Sequence, residues 1–253
     1  MKISIITPCF NSETTIEDTI NSVLMQDYDN YEYIIVDGKS KDNTLEIVKK
    51  YEKKFKGKLK VISEKDKSLF DAMNKGIKNA SGDIIGIINS DDVLAHKSVF
   101  SKVVKAMKKD ISIVYSDLLF YNNDLTKVER VFNTGKGNIK RGWHPPHPTL
   151  YIRKNVYDEI GLFNLDYRIS ADLDLMIRIF KSKKYKDSYV KDCFVKMRTG
   201  GVSTNGLSGY LKNFKEALKV YKKNNIPFAL CINIYRSFKT IYQILKSKFI
   251  KIK

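Results

Sequence analysis

The chain has 253 residues, 43% hydrophobic and 29% charged, which suits one large α/β domain or two small ones and is too apolar for general disorder. Its 46 basic and 28 acidic residues leave a net charge of +18, favouring anionic partners: phosphorylated substrates, an acidic membrane surface or nucleic acid. Cys9, Cys193 and Cys231 form no CxxC pair, which argues against a disulfide framework and for a reducing compartment.

The N-terminal run Met-Lys-Ile-Ser-Ile-Ile-Thr-Pro carries no secretory signal pattern. No apolar run approaches the roughly 20 residues of a spanning helix. The expectation is a cytoplasmic protein, soluble or held peripherally at the inner face of the cell membrane.

Short β-rich runs are expected at Ile3–Thr7, Tyr31–Val36, Leu59–Ile62 and Asp83–Ile88. Segments with helical spacing lie between them, at Thr14–Met25, Asn43–Phe55 and Leu69–Asn79. Near-continuous apolar runs such as Tyr33-Ile34-Ile35-Val36 suit strands buried on both faces. The alternation predicts βαβ units and an α/β fold with a Rossmann-like, mainly parallel sheet flanked by helices. Right-handed crossovers place the strand C-terminal ends along one ligand-binding edge. Three polar stretches follow those ends: Thr7-Pro8-Cys9-Phe10-Asn11, Asp37-Gly38-Lys39-Ser40 and Asn89-Ser90-Asp91-Asp92.

Beyond residue 97 a helix at Ser98–Lys108 and a strand at Ile111–Tyr121 are expected, then a Gly- and Lys-containing loop to Gly142. The Pro-rich run 143–148 reads as a shaped loop. A strand at 150–152 and helices at 154–160 and 172–180 follow. No domain boundary is evident before about residue 205.

Adjacent carboxylates at Asp91 and Asp92 repel each other and are costly where desolvated. A divalent cation would resolve that cost, and hard oxygen ligands suit Mg²⁺ or Mn²⁺. A helix N-cap before Ala95–Lys108 is the competing explanation. Asp37 ends a buried run and faces the ligand edge, where an acidic residue accepts hydrogen bonds from a base or a sugar hydroxyl. A turn capped by Asp42 is the plainer reading of that loop. Asp71 and Lys75 stand at i and i+4, an ordinary helix ion pair, unless Asn74 or Lys75 is aimed at a diphosphate.

Thr7-Pro8-Cys9-Phe10-Asn11, Ser22-Val23-Leu24-Met25-Gln26, the run Ile35 to Asp42, Asp71 to Gly76 and Asn89-Ser90-Asp91-Asp92 together resemble family 2 glycosyltransferases. Gly161-Leu162-Phe163-Asn164, the run Ala171 to Arg178 and Gly200-Gly201-Val202-Ser203 are similar to the family's later elements. The likeness spans about residues 2–205. It implies a GT-A fold and inverting transfer of a sugar from a nucleotide-diphosphate donor, UDP favoured, to an acceptor hydroxyl. By position it implies Thr7, Pro8, Asn11 and Asp37 in the nucleotide pocket and Asp91 on the ribose. Asn74 and Lys75 become donor-site candidates, Asp92 the metal ligand and Asp172 the general base. The acceptor would be a lipid-linked or cell-surface glycan.

The chain departs from the family pattern in places. Ala171 stands where Glu often precedes the catalytic Asp. Leu162 and Asn164 replace the second Gly and the Asp of the Gly-Gly-Phe-Asp element.

Trp143 could stack on a sugar, and His147 could face the metal; packing is the plainer reading of Trp143 and His144. The domain is expected to run over 1–205, with a nucleotide-binding half over about 1–95 and an acceptor half over about 96–205. A basic, amphipathic helical tail covers 206–253. Residues 227–253 hold six basic residues and no acidic one. Tyr235, Phe238, Tyr242, Leu245, Phe249 and Ile252 form an apolar stripe beside Arg236, Lys239, Lys246 and Lys251. Such a helix either lies on an anionic membrane or docks on its own domain.

A nucleotidyltransferase on a related α/β fold and a basic nucleic-acid-binding protein are the other readings. The latter is disfavoured by acidic residues where phosphate would approach and by the lack of any nucleic-acid module, so no nucleic-acid partner is expected.

Overall fold

The computed structural model describes residues 1–200 and 206–249. Its first half follows the expected alternation: β1 (Ile3–Cys9), α1 (Ile16–Leu24), β2 (Tyr31–Asp37), α2 (Thr44–Tyr51), β3 (Leu59–Ser63), α3 (Leu69–Asn79) and β4 (Ile84–Ile87). The four strands pair in parallel in the order β3-β2-β1-β4.

The continuous apolar runs have a direct cause. Alternate residues of one strand enter different cores. Ile6, Ile34 and Val36 join the core that also holds Phe70, Met73 and Ile77 of α3. Ile3, Ile5 and Ile35 join the opposite core, with Ile16 and Ile20 of α1 and Val48 of α2. Gly76 lets α3 press against β1, since a Cβ there would stand 2.3 Å from Ile6 Cγ2.

The second half comprises β5 (Val93–Leu94), α4 (Val99–Ala106), β6 (Ile111–Tyr121), β7 (Val128–Phe132), β8 (Tyr151–Arg153), α5 (Lys154–Ile160), α6 (Ala171–Ser182), β9 (Lys186–Arg198), α7 (Gly206–Lys223) and α8 (Ala229–Phe249). It extends the same sheet as β4-β8-β6-β9-β5, with β7 pairing β6. Here β8 runs antiparallel to β4 and β6, β9 runs parallel to β6, and β5 and β7 run antiparallel to their partners. The α/β sheet is therefore parallel in its first half and mixed beyond β4. β7 occupies part of the stretch expected to be loop, and β9 is an addition to the expected elements.

The C-terminal helices lie against the domain. Ala217, Val220 and Tyr221 of α7 are buried in the same core as α6. One face of α8 docks: Asn233 donates to the Phe214 carbonyl (2.8 Å), and Ile232 and Arg236 lie over Gly142. The other face is open, with Tyr235, Phe238, Tyr242 and Leu245 each more than half exposed. Docking and an exposed apolar stripe thus coexist on one helix. Ile252 and Lys251 lie outside the described residues, as do Gly201, Val202 and Ser203. No described helix is long and apolar enough to cross a membrane.

Candidate active site

The strand-end loops meet at one edge, as expected from the topology, and side chains stitch them together. Ser40 Oγ accepts from the Asn11 amide (2.8 Å), Asn11 Oδ1 accepts from the Lys41 amide (2.9 Å), and the Ser12 and Ser90 hydroxyls are 2.9 Å apart. Asn11 adopts a left-handed backbone (φ 48°), a conformation Asn tolerates.

Asp37 is wholly buried. Its carboxylate accepts from the Lys39 and Ser40 amides at 3.2 Å and from the Ser63 hydroxyl at 2.7 Å. It shapes the loop that follows β2. Asp42 precedes Asn43, the residue at the N-cap of α2, and closes the turn by accepting from the Thr44 amide and hydroxyl. Thr7 and Pro8 are buried within β1, and the Thr7 hydroxyl accepts from Tyr33 (3.0 Å). Of the first motif, Phe10 and Asn11 are exposed, Phe10 at 60%.

The helix-cap explanation of Asp91 and Asp92 fails. The next helix starts at Val99, with β5 in between. Asp92 is fully buried, and its Oδ2 accepts from Asn89 Nδ2 (2.9 Å). Its Oδ1 and the Asn89 Oδ1 have no hydrogen-bond partner. Burial first, and then the Asp91 charge, raise the Asp92 pKa well above the carboxylate norm, against the opposing pull of Asn89 and Arg198. Burial also raises Asp91, with Arg198 opposing it. Two orphaned hard oxygens beside a strained carboxylate pair fit a divalent cation held by few protein ligands and completed by phosphates.

Arg198, at the end of β9, is buried beneath this pair. Its guanidinium donates to the carbonyls of Asp91 (2.6 Å) and Asn123 (2.7 Å) and to the Asp18 carboxylate (2.5 Å).

Asn74 and Lys75 are both engaged within the protein. Asn74 bonds the Phe163 backbone at both ends, donating to its carbonyl (2.9 Å) and accepting from its amide (3.0 Å). Lys75 sits among Asp66 (2.6 Å), Glu64 (3.0 Å) and Asp71 (3.7 Å). Asp66 flanks the Gly38 loop, where a Cβ would lie 3.0 Å from its Oδ2.

Asp172 occupies the first turn of α6. Burial raises its pKa, opposed first by neighbouring His147. Burial lowers the His147 pKa, opposed by Asp172. The two share a narrow cavity of about 10 Å³ lined also by Ile87, Phe163, Leu175 and Met176, room for about one water. His147 and Asp172 thus line the same cavity. No cluster of three His, Cys, Asp or Glu side chains able to hold a metal occurs among the described residues, so His147 gains no support as a ligand beside Asp92.

Trp143 and His144 are packing residues. Trp143 donates to the Thr134 carbonyl and stacks edge-on against Tyr115 and Phe180. Burial, then Arg236, push His144 down to about pKa 3. Asp174 joins Arg178, whose guanidinium holds the carbonyls of Ile160 and Leu162 (2.7 Å each). Asn89, Asp66, Arg178, Arg198 and Glu216 were not singled out for roles from sequence. Asn89, three residues before Asp92 in the quoted motif, had the nearest signal.

Residues 4–168 match the family described as Glycosyl transferase family 2. A PGL/p-HBAD biosynthesis glycosyltransferase of Mycobacterium bovis (strain BCG / Pasteur 1173P2) is 26% identical over 189 residues, covering 74% of this chain and 73% of that protein. An uncharacterized glycosyltransferase of Mycobacterium tuberculosis (strain ATCC 25618 / H37Rv) is 29% identical over 188 residues, covering 70% and 68%. Among solved structures, S. aureus TarS 1–349 in complex with UDP-GlcNAc superposes with a TM-score of 0.70 at 19% identity, over 87% of this chain and 65% of that one. The chain spans 39% of the longer TarS structure. The mannosyltransferase PcManGT from Pyrobaculum calidifontis, in complex with GDP-Man and Mn²⁺, gives a TM-score of 0.69 at 17% identity, over 97% and 72%. These likenesses support the GT-A architecture, and the family match decides against the nucleotidyltransferase and nucleic-acid readings of function: the chain belongs to glycosyl transferase family 2 and is a glycosyltransferase.

Proposed function

We propose that the chain moves a sugar from a nucleoside-diphosphate sugar to an acceptor hydroxyl with inversion. The donor is read as a UDP-sugar. The observation that carries this reading is Asp92, a buried carboxylate with an orphaned oxygen at the edge where three strand-end loops converge.

Asn11 and Asp37 shape the nucleotide end of the site, with Thr7 and Pro8 behind them. Asp91 is the ribose contact. Asp92, with Asn89, would hold Mg²⁺ or Mn²⁺, which when bound stabilises negative charge on the leaving diphosphate. Asn74 and Lys75 act behind the donor, holding the Phe163 loop and the Asp66 loop.

Asp172 is the general base. Its raised pKa moves a carboxylate toward the range useful for taking an alcohol proton. The shared cavity of about 10 Å³ is too small for a sugar, so the acceptor must approach the partly exposed side of Asp172.

The open stripe of α8 favours a lipid-linked acceptor met at an anionic membrane surface on the cytoplasmic side. α8 carries Arg and Lys and no acidic residue, and its exposed aromatic and aliphatic side chains suit the interface. The division into a nucleotide-binding half (about 1–95), an acceptor half (about 96–205) and a basic amphipathic helical tail (206–253) belongs to this proposal.

The test is a binding screen of the purified protein against UDP-, GDP- and dTDP-sugars with Mn²⁺, followed by Asp172→Asn and Asp92→Ala. Asp172→Asn should abolish transfer and leave donor affinity nearly unchanged. Asp92→Ala should weaken metal-dependent donor binding. Full activity in either variant overturns that residue's role.

A further inference from the structure

Helix α7 begins beyond the family-matched stretch of 4–168, yet it reaches the acceptor half of the site. Its Glu216 receives three successive backbone amides: Arg168 on Oε1 (2.8 Å), and Ile169 (2.6 Å) and Ser170 (2.8 Å) on Oε2. These amides immediately precede α6, whose second residue is Asp172.

Ser170, the residue at the helix start, makes no side-chain capping bond of its own. Its hydroxyl turns to Asn213 of α7 (3.4 Å). The body of α6 is fixed by burial of Leu173, Leu175, Met176, Ile177 and Ile179. That packing leaves the lead-in to the first turn undefined, because three adjacent amides there need acceptors. One carboxylate with four lone-pair sites meets that need, and charge-assisted bonds of this kind are the stronger ones.

We propose that Glu216 is a positioning residue for Asp172: by gathering the Arg168, Ile169 and Ser170 amides it sets the direction in which α6 presents Asp172 to the acceptor. The proposal rests on Asp172 being the base. The helical tail then completes the catalytic half. A displacement of about 1 Å at a base costs on the order of 10²-fold in rate.

The test uses the full chain with Glu216→Ala, Glu216→Gln and Asp172→Asn. Hydrogen–deuterium exchange reads the segment 168–170. Hydrolytic release of nucleoside diphosphate from UDP-GlcNAc and from GDP-mannose, each with Mn²⁺ and with water taking the place of the acceptor hydroxyl, reads turnover. Glu216→Ala should speed exchange of those amides at least about 10-fold, leave β1 and α1 unchanged, and lower kcat about 10- to 100-fold with donor KM within about twofold. Glu216→Gln, which keeps one acceptor oxygen, should fall between Glu216→Ala and the wild type. Adding Glu216→Ala to Asp172→Asn should cost nothing further.

Unchanged exchange, unchanged kcat, or loss of donor binding in parallel with kcat overturns the proposal. If Asp172→Asn stays active, the base assignment fails and takes the proposal with it. If Asp172→Asn is inactive while Glu216→Ala is fully active, only the positioning role fails. A wild-type chain that releases no diphosphate from either donor overturns the underlying reading.

Discussion

Asn74 holds Phe163 by both ends of one peptide residue, with its amide nitrogen on the Phe163 carbonyl at 2.9 Å and its amide oxygen on the Phe163 N–H at 3.0 Å. The pairing joins α3 to the loop ahead of α6. Phe70 and Phe163 pack beside it, ring centroids 5.4 Å apart. Asn74→Ala leaves a buried donor and a buried acceptor without partners. It should cost roughly 2–4 kcal/mol, read as a lower urea midpoint at unchanged m-value.

Asp92→Asn removes a buried charge and keeps a side chain of the same shape. Without added cation the variant should melt a few degrees higher than the wild type, at about 2–4 °C per kcal/mol for a chain of this size. Mn²⁺ should raise the melting temperature of the wild type and leave that of the variant unmoved. Thermal scans with and without Mn²⁺ decide it.

Arg198→Lys keeps the charge and loses the planar fork that reaches Asp91, Asn123 and Asp18 together. Orphaned carbonyls should destabilise the chain by at least about 1–3 kcal/mol. The Asp91–Asp92 turn should loosen, so Mn²⁺-dependent donor affinity should fall more than cation-free stability explains. Calorimetric titration at matched folded fraction separates the two effects.

His144 is held neutral, with its pKa lowered to about 3 by burial and by Arg236, and further by Lys239. The unfolded chain takes up a proton near pH 6.5 and the folded chain does not until about pH 3. Between those values the unfolded state binds more protons, so this contribution to stability is present above about pH 6.5 and is lost as pH falls toward 3. His144→Gln should flatten the fall in stability between pH 7 and pH 4.5. Urea midpoints at the two pH values measure it.

Phe238 and Tyr242 are 67% and 62% exposed on the open face of α8. Changing both to Ser should leave thermal stability within about 0.5 kcal/mol, as expected for exposed positions. Co-sedimentation with vesicles rich in anionic lipid should fall at least about 10-fold on the membrane reading. Unchanged sedimentation would detach the membrane from the proposed function.

The parallel half of the fold was legible because its strands are buried twice over. Ile34 and Ile35 face opposite cores, so the sequence shows an unbroken apolar run closed by a polar turn. β9 offers no such run: Lys186, Asp187, Lys191 and Asp192 interrupt it, and most of its residues are only half-buried. β7, with Glu129 and Arg130, hides for the same reason.

The site divides along a similar line. Asp91 and Asp92 announce themselves by adjacency. Arg198 reaches Asp91 across 107 positions and Glu216 reaches Ser170 across 46, so local spacing carries no trace of either. The sequence showed one apolar stripe on α8, and it is the open face; the docked face carries Asn233 and Arg236, the latter within reach of His144 at 3.2 Å, and nothing in the pattern marked it.

The stitches among Asn11, Ser40, Lys41, Ser12 and Ser90 carry a consequence for recognition. A mouth already fastened before its guest arrives forfeits little disorder on capture, so the contacts made there are realised as affinity. It is also less able to remould itself. On the proposed function, choice among carriers should then reside in the fit of a rigid rim, and widening that choice would require cutting threads such as Ser12–Ser90 rather than adding new contacts.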